Sequence, residues 1–517
     1  LPSRVSPRLH SIYINTNKYI YILCTGRIRR RTMGTEFEPR RLHFFLVSFP
    51  GQGHVNPLLR LGKLLASNGS LVTLSTCETT GKQIRQANAA VPFAAPAPVG
   101  RGHIRFEFFD DGWPDDDPRR LDLEAHLAQT ERVGRALLPA MLARHAQAGR
   151  PVSCLVNNPF YPWVTDVAAD LRIPSALLWV QSAASFSCYY HFARRQTRFP
   201  TEEQPEIEVE IPTLPPLKHD EVPSFLHPSS PYGFLGRILT RQVGSLSESS
   251  CVLMETFDEL EQVTIRHLSS VLPDVKPIGP LWKLLRSPAA TVHANFIKPD
   301  DGCLGWLDSK PPSSVVYVSF GSVVTLKQEQ EDEIAFGLHG SGLSFLWVRR
   351  PPQKESHTGA PARALPEGVL ERGKAVEWAP QEAVLQHPAV ACFVTHCGWN
   401  STVEALSAGV PVVAFPQWGD QVIDAKFLVE VFGVGVRLCR GEAEGRVVGR
   451  EEVRERLLEA CVGPKAAELK RRVLEWKTTA EGAVAEGGSS DRNLQAFVER
   501  ERKRCSHDAT EPAAEIL

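Results

Sequence analysis

The sequence predicts an α/β protein made of two successive doubly wound parallel-sheet domains that face a cleft. Three observations carry this. Two series of short apolar runs alternate with helical segments, a proline- and glycine-rich stretch separates the series, and each half has a glycine turn between a strand and a helix.

The first series opens with His43–Phe49, a near-continuous apolar run suited to a strand covered on both faces. Pro57–Leu65 follows, with Leu58, Leu59, Leu61, Leu64 and Leu65 at helical spacing. Leu71–Thr76, Ile104–Phe109, Ser153–Val156, Ala176–Val180 and Val252–Met254 continue the strands. These define a first domain over residues 41–271. Residues 272–311, with Pro273, Pro277, Gly279, Pro280, Pro288, Pro299, Gly302 and Pro311, read as an interdomain connection. The second domain, residues 312–475, has strands at Val315–Phe320, Ser344–Val348, Ala375–Trp378, Ala391–Thr395 and Val412–Phe415. Helices are expected at Gln328–Leu338 and Thr402–Ala408. Residues 500–517 are charged and read as a disordered tail.

The chain has 517 residues, 43% of them hydrophobic and 23% charged, enough for two to three domains. A net charge of −1 argues against a general nucleic-acid binder. No apolar run approaches the ~18 residues of a membrane helix, so no membrane partner is expected. Eleven scattered cysteines do not make a disulfide framework and fit a reducing intracellular setting. Residues 1–32 hold seven basic residues and no acid, and the first methionine is Met33. Residues 1–40 are therefore expected to be a non-native or disordered extension, in preference to a targeting segment.

The first turn, Phe49-Pro50-Gly51-Gln52-Gly53-His54-Val55-Asn56-Pro57, lacks the third glycine of a dinucleotide fingerprint, which makes a nicotinamide dehydrogenase a remote reading. It places His54 above a sheet, where an imidazole suits a general base; a helix-start histidine satisfied by backbone is the plainer alternative. The second half holds a denser constellation: Trp378-Ala379-Pro380-Gln381, then His396-Cys397-Gly398-Trp399-Asn400-Ser401, then Glu404, then Asp420-Gln421. A strand ending at Thr395 and a helix starting near Ser401 would present backbone N–H groups and a positive helix end to an anion. His396, Asn400 and Ser401 add donors, and Gly398 permits close approach. The chemistry reads as a phosphate or diphosphate site. Against it, Ser401-Thr402-Val403-Glu404 fits a capping box that would make Glu404 structural. The tryptophans Trp378, Trp399 and Trp418 could be core residues. Zinc on His387, Cys392, His396 and Cys397 is disfavoured, because His396 and Cys397 point apart on an extended chain.

The 44 residues from Trp378 to Gln421 resemble the signature box of plant family 1 UDP-glycosyltransferases, as do the His54 turn and Val318-Ser319-Phe320-Gly321-Ser322. The resemblance spans roughly residues 41–499. It implies a GT-B fold of two facing Rossmann-like domains, with the acceptor mainly in the first and the sugar nucleotide in the second. A C-terminal helix over 476–499 would pack back on the first domain. It implies that Trp378 stacks on uracil, that the backbone at Ala379 and Gln381 reads the base edge, and that Glu404 holds the ribose hydroxyls. Ser322, His396, Gly398, Asn400 and Ser401 would take the diphosphate. Trp399, Asp420 and Gln421 would contact the sugar, the terminal Gln421 being associated with glucose. His54 would be the base of an inverting, metal-independent transfer from UDP-glucose by a cytoplasmic monomer.

One position departs from the pattern. Many members support the histidine with an acid where this chain has Asn158. A carboxylic acid acceptor, already ionised at pH 7, would scarcely need that partner. The stretches Asn157–Trp163 and Leu178–Ser182, and Trp418–Gln421 followed by Asp424-Ala425-Lys426, are similar to the subgroup that makes glucose esters of hydroxycinnamic, benzoic or indole acids. The expectation is a glucose ester on a small aromatic acid. The alternatives are a phenol or flavonoid O-glucosyltransferase, with Asp110 or Asp111 supplying the missing acid, and a non-catalytic ligand receptor.

Overall fold

The computed structural model describes residues 13–16, 19–24 and 27–31, and residues 41–508 except 89–92, 94, 247–250, 273, 286–301, 350–364 and 442–443. Residues 1–41 and 42–517 form separate units. In the first unit, β1 (Tyr13–Thr16), β2 (Tyr19–Cys24) and β3 (Arg27–Arg31) form an antiparallel meander. Disorder is one of the two expectations for this extension; β1 and β2 are instead rich in Tyr and Ile, residue types that favour extended pairing, whereas β3 is mostly Arg. The rest of that extension lies outside the described residues.

Among the described residues the body contains two sheets. The first has β4 (His43–Val47), β5 (Leu71–Ser75), β6 (Ala97–Val99), β7 (Gly102–Phe106), β8 (Cys154–Asn157), β9 (Ser175–Trp179), β10 (Cys251–Met254) and β11 (Val275–Pro277), in the order β11-β10-β9-β8-β4-β5-β7-β6. All pairs are parallel except the edge pair β6–β7. Every β4 residue is buried, as its apolar run required. The second sheet has β12 (Val315–Ser319), β13 (Ser344–Val348), β14 (Gly373–Val376), β15 (Val390–Thr395), β16 (Val412–Ala414) and β17 (Gly435–Arg437), in the order β14-β13-β12-β15-β16-β17 and parallel throughout. Each expected strand is present within a few residues.

Strand order reverses between β4 and β8 in one sheet and between β12 and β15 in the other. Such switch points leave a crevice beyond the carboxyl ends of the strands, where ligands bind in open α/β sheets. The turns after β4, β8, β12 and β15 meet there.

Three boundaries differ from expectation. The connection does not begin at residue 272: β11 pairs with β10, Val252 opposite Val275, and Ile278 and Leu281 are buried. Its residues 286–301 lie outside the described residues. The C-terminal helix is not confined to 476–499: one helix runs Gly463–Val484 and another Ser489–Asp508, joined at Gly487, which has φ +74°. The tail expected from residue 500 is helical to Asp508, because Phe497 and Glu501 are buried and Arg500 pairs with Asp274. This last helix lies on the first sheet: Phe497 packs on Phe44, and Asn493 Nδ2 donates to Pro277 O at 2.8 Å.

Candidate active site

Beyond β4 the chain enters the helix Gln52–Ser67, five residues earlier than the proline suggested, with extended Gly51 as its cap. Val55, Leu58, Leu59, Leu61 and Leu65 bury one face. Pro57 has no N–H for the carbonyl of Gly53 one turn back. That carbonyl accepts instead from Asn400 Nδ2 at 2.7 Å, across the cleft. His54 stands at this helix start, its ring edge-on to Phe49 and Phe160 with both centroids 5.0 Å away. Burial holds its imidazolium down, to about 3, so the ring is neutral over the whole working range.

The partner of His54 is Asn158, fully buried after β8. Asn158 Oδ1 accepts from the N–H of Phe160 at 3.2 Å, which fixes the amide orientation. Asn158 Nδ2 therefore faces His54 Nδ1, 3.0 Å away, and donates to it. An imidazole that accepts at Nδ1 carries its proton on Nε2, the nitrogen left to the cleft. The two acids that could substitute for the missing one are engaged elsewhere. Asp111 takes Arg120 on both oxygens, at 2.6 and 2.8 Å, and Asp110 Oδ1 accepts from the N–H of Gly112 at 2.8 Å. Cys77, Asp111 and His126 have donor atoms within 4.8 Å of one another, but the Arg120 guanidinium already occupies the cation's place at Asp111.

Across the cleft, the helix Trp399–Ala408 starts directly after β15, with Gly398 as its cap. Cys397 sits at φ +65°, a conformation that costs a non-glycine residue about 1–3 kcal/mol and turns the chain sharply here. His396 lies between two glycines: a Cβ on Gly398 would come 2.4 Å from its Nε2, and one on Gly321 2.6 Å. The capping box does not form. Glu404 turns instead to Arg60 Nη2, at 2.7 Å, and to Gln381 Nε2, at 2.8 Å. Gln381 Nε2 also donates to Ser401 Oγ at 2.8 Å, and Tyr317 OH donates to Gln381 Oε1 at 3.2 Å.

The loop after β16 presents Asp420 and Gln421. Gln421 Oε1 accepts from the N–H groups of Gln417 (3.0 Å) and Trp418 (3.3 Å), leaving its amide N–H groups for a ligand. Burial raises Asp420 to about 6. The first domain braces this loop: Ser224 Oγ accepts from the N–H of Gly419 at 2.6 Å, and Phe225 stacks on Trp418 with centroids 5.9 Å apart.

All thirteen residues singled out from the sequence (His54, Ser322, Trp378, Ala379, Gln381, His396, Gly398, Trp399, Asn400, Ser401, Glu404, Asp420 and Gln421) line one cleft of about 1410 Å³. Trp399 differs from expectation in its side chain. The indole is 2% exposed and donates to Glu255 O at 2.6 Å, so the ring is a strut between the two halves. Sequence reasoning missed Arg60, Phe225 and Glu255. None carries a local motif, since each acquires its place through a contact with distant chain.

Two Rossmann-like domains closing on one cleft, with a glycine-capped helix start on one wall and a histidine on the other, define a sugar-nucleotide transferase of GT-B architecture. A profile of UDP-glucoronosyl and UDP-glucosyl transferases matches residues 289–443. The chain is 60% identical over 467 residues to gallate 1-beta-glucosyltransferase 84A24 of Punica granatum, covering 90% of this chain and 89% of the relative. It is 57% identical to the cinnamate beta-D-glucosyltransferase of Fragaria ananassa, covering 89% and 83%. The solved structure of Os79 from O. sativa with UDP superimposes with a TM-score of 0.75 at 30% identity, covering 89% of this chain and all of that one. The chain belongs to the UDP-glycosyltransferase family. Among the described residues no helix is long and apolar enough to cross a membrane.

Proposed function

We propose that this enzyme moves glucose from UDP-glucose to the carboxylate of a small aromatic acid, giving a 1-O-glucose ester. The observation that carries the reading is the hydrogen bond from Asn158 Nδ2 to His54 Nδ1. It makes His54 a donor at Nε2, where a general base would need a lone pair.

The energetics favour an ionised acceptor. Removing a phenolic proton of pKa ~10 with an ordinary imidazole of pKa ~6.5 is uphill by roughly 5 kcal/mol, and burial of His54 widens the gap. A benzoic or cinnamic acid at ~4–5 has lost its proton before it binds. His54 Nε2–H then holds the carboxylate by a charge-assisted hydrogen bond, worth about 1.5–3 kcal/mol, and aims one oxygen at the sugar.

In this mechanism the carboxylate oxygen attacks the anomeric carbon from the face opposite the leaving group. The new C–O bond forms as the bond from that carbon to the diphosphate oxygen breaks, and the electron pair leaves with UDP. No proton need move, and the configuration inverts. The start of the helix Trp399–Ala408, with Ser322, His396, Asn400 and Ser401 and close approach at Gly398, would stabilise charge on the diphosphate without a metal ion. Trp378 would stack on uracil, beside the backbone of Ala379 and Gln381. Glu404 would take the ribose hydroxyls, and Asp420 and Gln421 the glucose hydroxyls. In this reading the Trp399 ring supports the wall and does not touch the sugar. The names of the gallate and cinnamate relatives agree with an acid acceptor. The chain would act as a monomer in the cytoplasm, since the cleft is completed within one chain and its ten described cysteines are free thiols.

The test is mass spectrometry of products from a panel of benzoic, cinnamic and indole acids and matched phenols with isotopically labelled UDP-glucose. Alkali-labile conjugates of the acids are expected. Conjugates on phenols alone would refute the reading.

A further inference from the structure

We propose that Arg60, on the acceptor-side helix, is a positioning residue for the nucleotide ribose. It reaches across the cleft and holds Glu404 as an ionised double acceptor. The proposal rests on the reading of Glu404 as the ribose ligand and assigns a role to a residue of the opposite domain.

The geometry is specific. The Arg60 side chain is 12% exposed, and its Nη2 donates to Glu404 Oε1 at 2.7 Å and also to Glu382. The other Glu404 oxygen accepts from Gln381 Nε2 at 2.8 Å. Each carboxylate oxygen thus has one protein donor and retains a further lone pair. Two such acceptors on one rigid carboxylate match the two adjacent hydroxyls of a ribose. Gln381 is held in turn by Tyr317 and Ser401, so the carboxylate cannot swing while both donors are in place.

Charge explains why a cation is needed. Glu404 is 5% exposed, and Glu255 is 2% exposed with one oxygen lacking a protein hydrogen bond. Glu382 completes three carboxylates around a single guanidinium, with Lys63 nearby. Without Arg60, Glu404 would keep buried Glu255 and the partly exposed Glu382 as neighbours with no guanidinium between them. It would then turn away or take up a proton, and a protonated carboxyl offers one hydroxyl where two acceptors are wanted. The consequence is mechanical as well. The ribose site is complete only when the acceptor-side helix is docked, so nucleotide binding and closure of the cleft reinforce each other.

Titration calorimetry of the full chain with UDP and with 2′-deoxy-UDP tests this. The wild type is expected to prefer UDP by about tenfold or more, the loss expected when a site built for a hydroxyl meets its absence. Arg60→Met is expected to weaken UDP about tenfold and to reduce the preference over 2′-deoxy-UDP to within about threefold. In turnover, the KM for UDP-glucose rises while kcat changes little, and Arg60→Lys recovers part of the preference. A merely structural role would lower thermal stability and leave the ratio of the two nucleotides unchanged, which overturns the proposal. If Arg60→Met does not fold, Arg60→Lys carries the test: an undiminished preference overturns the proposal. Glu404→Gln separates the two claims. If that variant keeps the wild-type preference, the ribose reading of Glu404 fails. If it loses the preference and the Arg60 variants keep it, only the Arg60 proposal fails.

Discussion

Replacing Asn158 by Asp tests the chemistry at its hinge. The substituted carboxylate can still accept from the N–H of Phe160, 3.2 Å from the present oxygen, so the local turn survives. Its second oxygen then faces His54 Nδ1 at about the present 3.0 Å and demands a proton there. The tautomer inverts: Nδ1 donates and Nε2 becomes a base. A carboxylate at this distance raises an imidazole by about 1–3 units, worth roughly 1.4–4 kcal/mol of proton-transfer driving force. Phenol glucosylation should rise by about tenfold or more, within the range of general-base effects. The acid acceptor loses its Nε2–H donor and gains a like charge close by. Loss of a charge-assisted hydrogen bond alone, about 1.5–3 kcal/mol, lowers its kcat/KM roughly 10- to 150-fold. The assay is UDP release with benzoate or cinnamate and with a phenol of the same shape. An Asn158→Asp variant that keeps wild-type kcat/KM for the carboxylate refutes the reasoning.

Other expectations follow from the same geometry. His54→Gln keeps an amide N–H donor and should retain carboxylate activity within about tenfold, well above His54→Ala; equal losses would mean that the ring acts as a base. The ratio of wild-type to His54→Gln kcat for an acid acceptor should be level from about pH 6 to 8.5, because the folded His54 protonates only near 3, the acceptor's own pKa is ~4–5, and the titration of Asp420 near 6 is common to both; a ratio that changes near 7 would count against a neutral donor. Glu255 is raised by burial to about 7 from its ordinary 4.5, so the folded chain binds more protons than the unfolded one between those values and loses stability as pH climbs through them. Glu255→Gln removes this liability. Its stability relative to wild type, measured by denaturant titration, should improve by up to about 3 kcal/mol between pH 5 and pH 8, whereas a constant difference would contradict the assignment.

Much of the scaffold was legible because buried parallel strands are written as continuous apolar runs. His43–Val47 and Val315–Ser319 needed nothing else. β11 was hidden by the prolines around it, since an edge strand with one partner tolerates Pro277. β17 is three residues, Gly435–Arg437, too short to show a period. The early helix start at Gln52 escaped because Pro57 read as a first-turn residue, whereas its missing N–H is compensated from the other domain by Asn400. The donor-side residues other than Ser322 were legible because they crowd into 44 consecutive positions. What the sequence could not show is which distant groups meet. At Glu404 the local pattern fits a cap and the resemblance implies a ribose ligand, but neither shows Arg60 and Gln381 on its carboxylate; the Trp399 ring, expected against the sugar, is tied by its indole to Glu255. Asn158 was visible as a departure, but the direction of its amide, and with it the polarity of His54, came only from the N–H of Phe160.

One acceptor that carries both a carboxyl group and a phenolic hydroxyl, such as a hydroxycinnamic acid, sets the two chemistries in direct competition within a single molecule. At pH 7 the product should be almost entirely the glucose ester, cleaved by mild alkali back to the free acid. A predominantly alkali-stable phenolic glucoside would contradict the account.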